Sequence, residues 1–106
     1  MERLEVDMQQ FIDETEQKIE EAKTLGYSKL YIFGRVMSSY VNKSLSINTT
    51  LRERYEQLRK QTILFKYELV NILSKQGYIT QIERGYSGGI TVIWNDKQKW
   101  TEKLEV

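Results

Sequence analysis

From Leu4 to Leu25 apolar residues recur at alternating three- and four-residue steps through Met8, Phe11, Thr15, Ile19 and Ala22, with Ile12 widening the stripe. That is the period of an amphipathic helix, and Gly26 stands where a C-terminal cap belongs, so a helix is predicted over residues 2–25. A second long helix is predicted over 50–76. Thr50 and Glu53 have the spacing of a capping box, in which a hydroxyl and a carboxylate each satisfy a free backbone N–H. Leu51, Tyr55, Leu58, Thr62, Phe65, Leu69 and Ile72 then follow at heptad spacing as far as Gly77. The first half of this helix, LRERYEQLRKQ, is a narrow apolar seam in a charged surface, whereas TILFKYELVNIL is apolar on most of its circumference. Only a helix covered on several sides needs the second pattern, so the C-terminal half is expected in the core and the N-terminal half is expected to project.

After Gly77 the period changes to two. Tyr78, Thr80 and Ile82 form one strand face, GYSGG supplies a turn, and Ile90, Val92 and Trp94 line the next strand. Asn95-Asp96 reads as a second turn before Trp100, Glu102, Leu104 and Val106, which predicts a three-stranded antiparallel meander over 78–106. Residues 28–45 are read as a helix carrying Leu30, Phe33, Met37, Tyr40 or Val41, and Leu45. The KLYIF string also suits a short strand before a polar loop, and SLSINTT is a loop in either case. The fold class is therefore α+β, in a single domain spanning residues 1–106.

Composition narrows the chemistry. At 106 residues the chain has room for one core, and it contains neither cysteine nor histidine. Disulfides, thiolate metal sites and cysteine nucleophiles are excluded, as are histidine bases and ligands. No paired carboxylates or metal set stand out, and GYSGG lacks the following helix that a phosphate-binding glycine loop requires. The expectation is a non-enzymatic protein with no catalytic residues, no cofactor and no metal. No apolar run is long enough to span a membrane and the N-terminus is acidic, so a cytoplasmic protein without a signal peptide is expected. One alanine, no proline, ten isoleucines and ten lysines suggest an AT-rich gene, of a low-GC bacterium or of a phage or mobile element living in one.

Charge is segregated although the net is +1. The first 26 residues carry −5 and residues 27–66 carry +6. On the second long helix Arg52, Arg59 and Lys66 share heptad position e, about one cation per 10 Å, and Arg54 and Lys60 add to the stripe. With Thr49, Thr50 and the free N–H groups of the helix start, these residues are candidates for binding phosphate or a partner. The alternative is pairing, within one chain or across a dimer: Asp7, Glu14 and Glu21 repeat at position g of the first helix, and g-to-e pairing across parallel helices would neutralise both stripes. Asp13, Glu16 and Glu20 form a separate acidic face that suits a basic groove on another protein. Leu51, Tyr55 and Leu58 form a seam expected to join two copies in a homodimer. Trp94 and Trp100 flank the second turn and are expected to pack across strands.

The string ELVNILSKQGYITQIERGYSGGITVIW, Glu68 to Trp94, resembles the recognition helix, strand, wing and strand of winged helix-turn-helix DNA-binding domains. The resemblance implies that Arg84 and the Tyr86–Gly89 turn form a wing directed at the nucleic-acid backbone or minor groove. It departs from the family in two ways: residues 50–76 show no break for a turn, and Glu68–Lys75 is too apolar to face DNA. The leading expectation is a small interaction protein, phage or mobile-element encoded, that binds and blocks a host protein such as a component of nucleic-acid defence. The alternatives are a nucleic-acid-binding regulator using segment 27–66 and the 84–89 hairpin, and capture of a nucleotide at the start of the second long helix by Thr49, Thr50, Arg52 and Arg54.

Overall fold

The computed structural model describes residues 3–45 and 50–94, and shows an α+β fold of three helices and a three-stranded antiparallel sheet. The elements are α1 (Gln9–Thr24), β1 (Lys29–Ile32), α2 (Gly34–Ser44), α3 (Leu51–Lys75), β2 (Ile79–Ile82) and β3 (Ile90–Ile93). The sheet order is β1-β3-β2. Leu30 stands opposite Val92 and Ile32 opposite Ile90 on one side of β3, while Thr80 and Ile82 stand opposite the same two residues on the other.

The first helix begins seven residues later than its apolar spacing suggests. Leu4, Val6 and Met8 face inward while Arg3, Glu5 and Asp7 face outward, a period of two that marks an extended segment. Asp7 ends it, accepting the Gln9 amide at 3.0 Å and so satisfying one of the free N–H groups at the helix start. Gln61, almost completely buried on α3, holds the segment in place. Its carbonyl accepts the Glu5 amide at 3.0 Å and its amide donates to the Arg3 carbonyl at 3.4 Å.

The single helix read over 28–45 is a strand followed by a helix. β1 leaves the loop because β3 needs a second neighbour: Ile32 is buried against Ile90, and the Trp94 amide and indole donate to the carbonyls of Ser28 and Tyr27 at 3.2 and 2.9 Å. Gly34 opens α2 where a Cβ would run into the backbone of Ser87, so only glycine lets the helix start lie against the hairpin. The expected meander is corrected accordingly: the third strand of the sheet comes from between α1 and α2. The remainder of that prediction, including Trp100, lies outside the described residues.

The capping box is present, with the Glu53 amide donating to Thr50 Oγ1 at 3.2 Å and the Thr50 amide to the Glu53 carboxylate at 3.4 Å. Gly26 and Gly77 take the positive φ of helix-ending residues at +87° and +96°, and the next amide in each case bonds five residues back. The core is built from Phe11 and Ile19 of α1, Met37 and Val41 of α2, Phe65, Leu69 and Leu73 of α3, and Ile90, Val92 and Trp94. Phe11 meets Phe65 edge-on at 5.0 Å between ring centres.

Candidate nucleic-acid interface

Contacts between α1 and α3 set what the basic stripe faces. Residues 3–5 meet Gln61, Phe11 meets Phe65, and Glu16 accepts the Gln76 side-chain amide at 3.1 Å. The two helices therefore run in the same direction, as g-to-e pairing requires, but α1 lies beside the C-terminal half of α3. Residues 51–60 extend past it, so the heptad pairing of Asp7, Glu14 and Glu21 with Arg52, Arg59 and Lys66 does not form within the chain. Asp7 is turned to its own helix start, Arg52 reaches Glu56 on its own helix at 3.9 Å, and Lys66 is buried elsewhere.

The stripe itself divides. Arg52, Arg59 and Lys60 are exposed, Arg52 almost fully. Arg54 turns toward α2, where its guanidinium donates to the Asn42 backbone and side-chain oxygens at 2.8 and 3.0 Å. Thr50 is occupied by its cap, and Thr49 lies outside the described residues. The residues expected to capture a nucleotide are thus partly committed to structure.

Lys66 is corrected from a surface cation to a core one. It is 2% exposed, and its ammonium donates to the carbonyls of Gly85 at 2.7 Å and Glu83 at 3.2 Å. Burial pushes its pKa below the ordinary lysine value, with the Glu83 carboxylate opposing that shift. From the outer face of the sheet the Tyr31 hydroxyl donates to the Glu83 carboxylate, which also accepts the Gly89 amide at 3.0 Å. Tyr31 reaches Glu83 by lying across β3 at Gly89, where a Cβ would strike its ring. These bonds hold Glu83 below the usual carboxylate range, Tyr31 first, and the same bond holds the Tyr31 hydroxyl above its ordinary value.

The turn joining β2 to β3 is therefore fixed from both sides, and its tip comes to α3. Tyr86 contacts Tyr55 at 6.4 Å between ring centres. At about 100° per residue, Tyr55, Arg59 and Lys66 fall within roughly 40° around the helix. Arg59 thus occupies the helix face between the two residues that touch the hairpin, and exposed Arg84 belongs to the same turn. The structure brings Tyr86 onto Tyr55, about one helical turn from exposed Arg52 and Arg59, while Arg84 lies farther along α3, beside Ile63 and Tyr67. Sequence reasoning missed the Lys66–Glu83–Tyr31 network, although a lysine in the most apolar stretch of α3 was a visible signal.

Of the other candidates, Asp13, Glu16 and Glu20 lie along α1, with Asp13 accepting from Gln9 at 2.9 Å and Glu20 paired with Lys23. Leu58 packs against the core, which leaves Leu51 and Tyr55 as the exposed part of the seam. No protein-family model, curated protein or solved structure matches this chain. Among the described residues no cluster of acidic side chains stands where it could hold a metal ion, and no helix is long and apolar enough to cross a membrane.

Proposed function

We propose that the protein binds nucleic acid through the N-terminal half of α3 and the tip of the β2–β3 hairpin. The observation that carries this reading is the Tyr55–Tyr86 contact, which sets the hairpin tip about one helical turn from the exposed Arg52 and Arg59 of α3. The wing part of the resemblance, Arg84 and the Tyr86–Gly89 turn, supports it, while the exposed basic half of α3 lies outside the resembling stretch. The part of α3 offered to a ligand is its exposed N-terminal half, 51–60, and not the apolar 68–75. Exposed arginines about 10 Å apart suit separate backbone phosphates, and two tyrosines beside them offer stacking surfaces.

Fluorescence anisotropy with labelled duplex and single-stranded oligonucleotides across a salt series tests this. Binding is expected to weaken log-linearly with salt, and Arg52→Ala, Arg59→Ala and Lys60→Ala are each expected to lower the salt slope by about 1. No binding at low salt, or binding indifferent to these substitutions, would remove the reading. The blocking of a host protein would then be the role to pursue, with Asp13, Glu16 and Glu20 as its docking face.

A further inference from the structure

Lys66 is the most deeply buried cation among the described residues, and it is spent on neither a carboxylate nor solvent. A lysine ammonium is taken out of water at considerable cost, and an apolar residue of similar volume would fill the same core position without that cost. What the ammonium does instead is grip two backbone carbonyls, of Glu83 and Gly85, on either side of Arg84. These belong to the hairpin connection, where Gly85 adopts a φ of +87° and the chain turns sharply. The remaining bonds to this connection come from the opposite side, from Tyr31 through the Glu83 carboxylate.

We infer that Lys66 is a positioning residue that sets where the hairpin tip stands relative to the exposed basic half of α3. It fastens the backbone flanking Arg84 to α3 about three turns beyond Tyr55, and so sets the reach of the tip that lays Tyr86 onto Tyr55. The consequence for nucleic acid rests on the function proposed above, whereas the clamp itself stands on geometry alone. The charged groups around the ammonium are the Glu83 carboxylate and the Arg84 guanidinium of the hairpin, with the Tyr31 hydroxyl beyond Glu83.

Limited trypsinolysis of Lys66→Met reads the clamp directly, because the Arg84–Gly85 bond lies in the clamped turn. Cleavage there is expected to accelerate about tenfold, the effect of losing charge-assisted hydrogen bonds on a local opening, while cleavage after Lys18 and Lys75 keeps its rate. An unchanged rate at Arg84, or equal acceleration at all three bonds, would overturn the inference. Should Lys66→Met not fold, Lys66→Gln, which keeps donors but loses the charge and one bond of reach, is expected to accelerate cleavage after Arg84 by a smaller factor, and an unchanged rate there would overturn the inference. In the oligonucleotide assay Lys66→Met is expected to lower affinity as much as Arg84→Ala with Tyr86→Ala, and to add nothing to that pair. A further loss in the triple variant would show that Lys66 does not act through the tip. A wild-type protein that binds no oligonucleotide would end the functional reading while the cleavage rates still decide the clamp.

Discussion

Single side chains in this protein show how burial changes what a residue type does. Lys66 and Arg59 share a heptad position, yet one is enclosed by the hairpin and the other is open to solvent, because α3 passes from the core to a projecting end between them. Thr62 is a second case. It is fully buried, and among the described residues its hydroxyl has no hydrogen-bond partner. A hydroxyl stranded in that way costs about 1–3 kcal/mol, and valine replaces it with a methyl of the same shape. Thr62→Val is therefore expected to raise stability by about 1 kcal/mol, seen as a shift of several degrees in the melting temperature. A lower melting temperature would mean that the hydroxyl has a bonded partner in solution.

Among the elements, the β2–β3 hairpin depends most on ionisation. The Glu83 carboxylate is held below its ordinary value of about 4.3, so its contribution is complete above that pH and is lost as pH falls through the depressed folded value. Tyr31 is shifted the other way: its contribution is complete below about 10 and is lost as pH rises through the raised folded value. The Tyr31–Glu83 bond should be firmest between these limits. In an NMR titration the Gly89 amide, bonded to Glu83, should follow the carboxylate and inflect below the ordinary range. Tyr31→Phe is expected to move that inflection upward, and an inflection that stays in place would show that Tyr31 does not hold the carboxylate. Both termini of α3 were legible in the sequence because a capping box and a C-terminal glycine act locally. The start of α1 was not, since Leu4 and Met8 satisfy both a helical spacing and the two-residue alternation that the chain adopts.

At the level of the whole molecule, the arrangement separates charge. α1 runs beside 61–76 of α3, and the basic half extends beyond it, so the acidic and basic segments do not neutralise each other along their length. The homodimer expected from Leu51, Tyr55 and Leu58 has a smaller surface than the heptad count implied, since Leu58 belongs to the core and Tyr55 is shared with Tyr86. Leu51, 85% exposed, is the residue left to test it. If two copies meet along this seam, Leu51→Glu should convert a dimer to a monomer in sedimentation velocity with no loss of helical signal. An identical mass for both proteins would leave the seam without that role.

What the sequence determined by itself is what short-range chemistry controls: the period-3.6 and period-2 segments, the capped ends of α3, the hairpin between Ile82 and Ile90, and the absence of thiol and imidazole chemistry. The tertiary structure decided how these segments meet. A four-residue strand such as β1 has too few positions for its period to stand out from a helix, and its identity rests on the edge of β3 that it covers. The helix register, the burial of Lys66 and the meeting of Tyr55 with Tyr86 depend on residues 17 to 60 positions apart. No local pattern encodes those contacts, because they arise only when the core closes around Phe65 and brings the hairpin onto α3.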